Sequence, residues 1–307
     1  MATVESLDGA VLAPGIYPRS EALVQATRDL ARGRTTAEAV EAQRHDDRER
    51  FLALQRDCGL APLSTGMLDW QDLFRPLVEA SAGLGSGPLV RFLDGNTFYR
   101  SVTVDGSCRL ADPIPAPPLS EPWLGTLPSP FALSRATGGA LDPATVAEAL
   151  LAPQVDAWAD GGCALIVLAE PFLPREPDRL SELLEALARL PRRVPVALQL
   201  AFGAAAPLLE PLADAPLDAI GVDFYATQLD ALPLDFPKVV LAGVVDAASS
   251  LLEEPADLAA FALALRARRP AGLALTPNGD LEHVPETVAR EKLRRLGGAA
   301  AAVREAA

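Results

Sequence analysis

The chain contains a series of short apolar runs, each followed directly by a small group of polar residues, with helix-like segments between the runs. Near-continuous apolar strands that alternate with helices are typical of a parallel sheet buried on both faces. Because the strands of such a sheet all point the same way, the polar groups should meet at one end, where barrel enzymes carry their sites. The six groups are PGIYPRS at 14–20, LPSPFAL at 127–133, VLAEPFL at 167–173, LQLAFG at 198–203, GVDFY at 221–225 and LTPNGD at 275–280.

The apolar runs predict eight parallel strands joined by helices, which is the pattern of a (β/α)8 TIM barrel in the α/β class. An open, doubly wound sheet is the alternative that the same alternation allows. Barrels of roughly 250 residues are routinely one domain, so we expect residues 1–307 to form a single barrel. The strand candidates are the run that begins at 12, then 61–66, 123–127, 164–168, 196–200, 219–222, 239–241 and 272–275.

One region, about 88–122, interrupts this alternation after the second βα unit. Strand-forming residues flank Asp94-Gly95-Asn96, a sequence typical of a tight turn, so 88–109 is predicted to be a β-hairpin outside the barrel. The proline-rich stretch 112–122 is predicted to be an extended connector, because proline fits neither a helix interior nor a central strand. Before the hairpin, the apolar spacing predicts a helix over 70–82.

Charge and hydropathy exclude several classes of function. The 41 acidic and 27 basic residues give a net charge of −14, which opposes binding to nucleic acid or to an anionic membrane surface. No stretch reaches the roughly 18 apolar residues of a membrane span, so we expect a soluble, cytoplasmic protein. The cysteines, Cys58, Cys108 and Cys163, are dispersed and form no CxxC pair, so we expect free thiols.

The order and spacing of the motifs resemble the C-terminal barrel of cobalamin-independent methionine synthase and its shorter, single-barrel relatives. The resemblance covers nearly the whole chain and implies the same TIM barrel. It is carried by PGIYPRS, by GMLDWQDLFRP at 66–76, by the FLDGNTFYR hairpin, by LPSPFAL, by AEPFL, by GVVDA at 243–247 and by the final LTPNGDLEHVPETVAREKL.

The resemblance implies a zinc ion that binds the thiol of homocysteine, so that a thiolate takes a methyl group from a methylfolate. A metal-bound thiol is deprotonated, and the thiolate is the nucleophile. The family's zinc ligands are an HxC pair that ends one strand, a Glu that ends the next strand, and a Cys at the end of the last strand. This chain carries Gln199, Ala201, Asp223 and Gly279 there. Since zinc sites in proteins need at least three His, Cys or carboxylate ligands, the sequence predicts that zinc is absent.

The pocket that would hold the amino acid also lacks polar residues that the family carries. The positions that would carry polar groups hold Ile16, Met67, Ala169 and Ala248. A zwitterion without partners in a desolvated pocket costs kilocalories per group, so homocysteine is predicted to bind poorly.

The histidines add no zinc ligand in this interpretation. His45 lies in the charged helical stretch QRHDDRER and is predicted to face solvent. His283 follows the last strand and could reach the barrel mouth, but packing at a helix N-terminus is the favoured interpretation.

Polar residues at the predicted strand ends could line a small-molecule site. Glu170 and Asp223 are the candidate catalytic residues, an acid and base pair if their pKa values separate. The alternative is that each accepts hydrogen bonds from loop amides. Arg19 could bind a carboxylate or phosphate, and Trp70 could stack on a pterin. The substrate-binding candidates are Tyr17, Arg19, Asp69, Trp70, Asn96, Tyr99, Tyr225, Asp246 and Asn278.

Two functional hypotheses follow from these residues. The first is a methyltransferase-like enzyme for a less polar acceptor, with a methylfolate or a methylated corrinoid as donor. The second is an inactive binding protein, or a subunit that associates with a protein partner or with its own copies. An enzyme should keep an ordered cavity with convergent polar groups, whereas a retired site should be filled by Ile16, Met67 and Phe202.

Overall fold

Six parallel strands form the main sheet of the protein, and they are hydrogen-bonded in chain order. The computed structural model describes residues 4–93, 95 and 97–306. An antiparallel hairpin precedes the sheet and is made of β1 (Ser81–Arg91) and β2 (Phe98–Leu110). The sheet comprises β3 (Trp123–Pro128), β4 (Cys163–Glu170), β5 (Val196–Leu200), β6 (Ala219–Asp223), β7 (Val239–Val245) and β8 (Gly272–Pro277).

Two short extended segments complete the ring between β8 and β3. Val11 pairs in parallel with Leu275 of β8, and Leu63 pairs in parallel with Trp123 of β3. The two segments are joined to each other because the Ala61 amide donates to the Val11 carbonyl at 3.1 Å. Eight strand segments therefore close the barrel, as the sequence predicts, and the open doubly wound alternative is wrong.

Helices cover the outside of the barrel. Several begin at side chains that accept a backbone amide, among them Ser20, Ser129 and Asp142. Such caps satisfy amides that the first helical turn leaves unpaired. The helices are α1 (Glu21–Ala31), α2 (Ala37–Asp57), α3 (Arg75–Glu79), α4 (Pro130–Ala136), α5 (Pro143–Val146), α6 (Ala152–Asp160), α7 (Leu180–Leu187), α8 (Ala206–Leu212), α9 (Pro255–Arg266) and α10 (Glu286–Ala306).

The barrel has an inner and an outer apolar layer. Along β4, Leu165 and Val167 belong to the inner cluster, whereas Ile166 and Leu168 pack in the outer cluster with the helices. All four are fully buried. Burial of each such side chain stabilises the fold by about 1.5–3 kcal/mol, so the apolar runs specify strands that need both faces covered.

The prediction of a helix over 70–82 is wrong in extent. The chain is helical only in α3, where the Asp72 carboxylate accepts the Phe74 and Arg75 amides at 2.9 Å each. It then enters β1 at Ser81, so the hairpin starts earlier than predicted. Glycine at 83, 85 and 87 explains the difference, because glycine costs about 1 kcal/mol per residue in a helix.

The predictions for the later strands and for the connector agree with the structure. The six later strands lie where the apolar runs place them. The connector 112–122 runs without helix or strand. Asp94 and Asn96 of the predicted turn lie outside the described residues. Among the described helices, none has both the length and the apolar character required to cross a bilayer.

Candidate functional site

A cavity of about 410 Å³ lies at the carboxyl ends of the strands, beneath the tip of the hairpin. The hairpin reaches it from one side, and the loops after β4, β5, β7 and β8 form the other side. The described lining residues are Phe92, Leu93, Gly95, Thr97, Arg175, Phe202, Ala248 and His283.

Aromatic contacts hold the hairpin over the barrel mouth. Phe92 stacks on His283 with ring centroids 5.7 Å apart and meets Phe202 edge-on at 6.3 Å. Phe202 meets His283 edge-on at 5.2 Å. Tyr99, a predicted substrate-binding residue, contacts Phe92 at 6.4 Å but does not line the described cavity. Each such pair contributes about 0.5–1.5 kcal/mol beyond burial, so the rings fix the hairpin and shape the cavity.

The Glu170 side chain is fully buried at the end of β4. One carboxylate oxygen accepts the Ser129 hydroxyl, and the other accepts the Phe172 and Leu173 amides at 2.8 Å each. Burial raises the pKa of this carboxyl to about 7. The carboxylate therefore joins the ends of β3 and β4, and it does not line the described cavity.

Asp223 connects the ends of the last three strands. Its Oδ1 accepts the Tyr225 amide at 2.9 Å and the Asn278 amide group at 3.1 Å. The side-chain oxygen Oδ1 of Asn278 in turn accepts the Ala247 backbone amide at 2.8 Å. Burial raises the pKa of Asp223. Both candidate catalytic carboxylates thus accept loop amides, and their role as an acid and base pair remains a prediction.

None of the other predicted binding residues that the structure describes lines this cavity. Tyr17 is buried against Phe51, with ring centroids 4.1 Å apart, and donates to Glu286 at 3.5 Å. Asp69 and the buried Trp70 line a separate cavity of about 190 Å³ next to the proline-rich connector. Asn96 lies outside the described residues.

Tyr225 and Asp246 meet at the carboxylate of Glu253. The Tyr225 hydroxyl donates to this carboxylate at 3.1 Å, and the Asp246 amide donates at 2.8 Å. The buried Lys292 of α10 donates to the same carboxylate at 2.8 and 3.0 Å. This arrangement fixes the loop after β7, to which the cavity-lining Ala248 belongs.

Comparisons of the whole chain identify structural relatives. No protein-family model and no curated protein matches the sequence. A B12-independent methionine synthase from Shewanella sp. W3-18-1, solved in complex with selenomethionine, superposes with a TM-score of 0.75 over 89% of this chain and 91% of its own, at 17% identity. A Listeria monocytogenes protein, described as a vitamin-B12 independent methionine synthase, superposes with a TM-score of 0.70 over 96% of this chain and 98% of its own, at 16% identity. The chain has the fold of the B12-independent methionine synthase barrel.

One position of this methionine-synthase-like barrel is closed to side chains. Phe202 follows β5 with a φ of 54°, and its ring lies against Gly279. A Cβ at residue 279 would lie 2.3 Å from the ring carbon Cζ. Residue 279 is where the resemblance implies a zinc-binding cysteine, so Phe202 occupies the space that this side chain would need.

Replacing Gly279 with cysteine is expected to lower the free energy of unfolding by about 1–3 kcal/mol, the usual cost of overpacking. In a Phe202→Ala background the same change should cost much less, because the ring is gone; urea titrations of the four proteins measure the coupling. Gly298→Ala is the control, since no atom lies within 4 Å of the position of its Cβ. Equal losses in both backgrounds would contradict the contact.

Three titratable residues at the mouth were not predicted as site residues: Asp280, Glu282 and His283. One ligand atom from each lies within 4.8 Å of the others. Burial raises the pKa of Asp280 to about 6, and burial with the nearby Asp280 charge raises that of Glu282 to about 8. Burial lowers the pKa of His283 to about 4. The available signal was an Asp-x-Glu-His sequence directly after the last strand.

Proposed function

We propose that this methyltransferase-like barrel binds a small, flat and mostly apolar molecule in the cavity beneath the hairpin tip. The observation that carries the proposal is the lining: Phe92, Phe202 and His283 present ring surfaces, while Arg175 adds a cationic group. Small-molecule sites are typically concave, largely apolar and about 300–1,000 Å³ in volume. At about 410 Å³, the cavity suits one flat ring system better than a whole corrinoid.

We further propose that the zinc-thiolate chemistry implied by the family is absent. Ala201 and Gly279 offer no donor atom, and the Gln199 amide group is used as a donor to the Pro277 carbonyl at 3.0 Å. Asp223 alone does not make a zinc site, which needs at least three protein ligands. The contact between Phe202 and Gly279 supports the same conclusion.

The positions that would recognise an amino acid support the proposal as well. Ile16 and Met67 are buried in the apolar core and offer no polar side-chain partner to an ammonium or carboxylate. Both residues therefore present apolar side chains where the resemblance implies polar ones. The aromatic cavity, in contrast, remains open, so a ligand less polar than homocysteine fits this barrel better.

A thermal-shift screen of pterins, methylfolates and other flat ring compounds tests the proposed ligand class. A compound that binds only the folded state raises the melting temperature, by mass action. Phe92→Ala should remove most of this rise in melting temperature, because the Phe92 ring forms one wall of the cavity. Phe98→Ala is the matched control, since Phe98 lies on the same hairpin but is 49% exposed. A shift of equal size in both variants would contradict the assigned cavity.

Methyl transfer is the second candidate function. The cavity lies at the carboxyl ends of the strands, where barrel enzymes carry their active sites, and the structural relatives are named methionine synthases. Incubation with methyl-labelled methylfolate and a ligand from the screen that is not a folate tests it. Label in the ligand, reduced by Phe92→Ala, supports transfer; binding without label supports the inactive binding protein.

A further inference from the structure

Asp280, Glu282 and His283 bring two carboxylates and an imidazole together at the end of β8. One ligand atom from each lies within 4.8 Å of the other two. The cluster shares no residue with the four positions at which the resemblance implies zinc. His283 is also part of the cavity wall, so the cluster borders the proposed ligand site.

The surrounding structure holds each of the three residues in place. The Ile16 amide donates to Asp280 Oδ1 at 3.0 Å, and the Glu282 amide donates to the Ile16 carbonyl at 3.0 Å. Asp280 Oδ1 lies only 1.9 Å from where a Cβ on Gly15 would be, so glycine is required beneath it. The His283 ring is fixed by Phe92 and Phe202.

One buried polar atom of the cluster lacks a partner. The Nε2 atom of His283 is buried and has no hydrogen bond within the described part of the chain. Buried polar atoms in proteins are nearly always hydrogen-bonded, and an exception indicates a missing ion, water or ligand. Glu282 lies beside the like-charged Asp280, and the charge of Arg19 only partly offsets this repulsion. A cation at the centre would satisfy all three side chains.

We propose that Asp280, Glu282 and His283 bind one divalent transition-metal ion. Two carboxylate oxygens and one imidazole nitrogen suit Mn²⁺, Fe²⁺ or Zn²⁺ better than Mg²⁺ or Ca²⁺, which prefer oxygen ligands alone. Ligand atoms on one ion with bonds of about 2.1 Å lie at most about 4.2 Å apart, so small side-chain rotations close the site. Three protein ligands leave coordination positions for water or for a ligand in the cavity.

Metal titration of the full chain tests this site without any organic ligand, so its outcome is separate from that of the ligand screen. Protein freed of metal with a chelator is titrated with Mn²⁺ alone, and free Mn²⁺ is followed by electron paramagnetic resonance. Zn²⁺ is then added as a competitor. We expect one Mn²⁺ per chain, displaced by Zn²⁺, and at least tenfold weaker binding in Glu282→Gln and His283→Phe.

His283→Phe retains a ring between Phe92 and Phe202 while it removes the nitrogen, and its melting temperature without metal shows whether it is folded. The control is His45→Ala, because His45 is the other histidine of the chain and is exposed on α2. His45→Ala should bind Mn²⁺ like the wild type. Absence of Mn²⁺ uptake by the wild type, or equal affinity in wild type and folded His283→Phe, would overturn the proposal.

Discussion

Replacing Lys292 with methionine is expected to lower the free energy of unfolding by about 3–5 kcal/mol, because it leaves a buried carboxylate without its cation. The Lys292 side chain is completely buried and Glu253 is 9% exposed, with 2.8 Å between Nζ and the nearer oxygen. Nζ also donates to the Leu251 carbonyl at 2.6 Å. Urea denaturation followed by circular dichroism measures the loss.

The control for this prediction lies on the same helix. Arg294 is 56% exposed and 3.8 Å from Glu291, and exposed pairs of this kind contribute about 0–1 kcal/mol. Arg294→Met should therefore change stability little. The double variant Lys292→Met with Glu253→Leu should recover part of the loss, since an apolar pair of similar size often replaces a buried ion pair without cost. A loss no larger for Lys292→Met than for Arg294→Met would show that the buried pair does not stabilise the loop after β7.

The second large effect is a pH dependence that originates at Glu170. Its pKa in the folded protein, about 7, lies above its ordinary value of 4.5. The folded protein therefore favours the neutral carboxyl more than the unfolded chain does. The contribution of Glu170 to the free energy of unfolding is fully present below about pH 4.5 and is lost as the pH rises through 7. A shift of this size corresponds to about 3 kcal/mol. Glu170→Gln should remove this contribution, so its stability relative to the wild type should increase between pH 5 and pH 8.

Denaturant titrations at several pH values measure this difference, and the comparison with the wild type cancels the other titrating groups. Glu185→Gln is the control, because the Glu185 side chain is 66% exposed on α7. It should leave the pH dependence unchanged. If Glu170→Gln showed the same pH dependence as the wild type, the carboxyl would not be titrating in this range, and the burial argument would be wrong.

The barrel could be predicted because each strand carries its own signal. The run from Ala164 to Leu168 is apolar on both faces, and only a covered parallel strand uses such a sequence. The helix predicted over 70–82 failed since the apolar spacing around Leu73 and Leu77 was followed into a glycine-rich segment that pairs with β2. Pairing with a strand about 20 residues away is a tertiary contact that periodicity does not contain.

The site was harder to predict than the fold. Phe92 and Phe202 meet through the folding of the hairpin over the barrel, so neither residue carries a local signal of a binding site. Glu170 does end a strand, as predicted, but the Ser129 hydroxyl that donates to it follows the neighbouring strand. His283 was predicted to pack at a helix N-terminus. The His283 ring packs instead against Phe92 and Phe202, and it also lines the cavity.

This chain has the methionine synthase fold, and we propose that residues 199, 201, 223 and 279 cannot make a zinc-bound thiolate. X-ray absorption at the zinc edge, recorded on zinc-loaded protein with and without homocysteine, tests it directly. We expect only nitrogen and oxygen neighbours in both samples, whether or not zinc occupies the cluster at Asp280. A zinc–sulfur distance of about 2.3 Å that appears with homocysteine and is lost in Asp223→Ala would contradict the account.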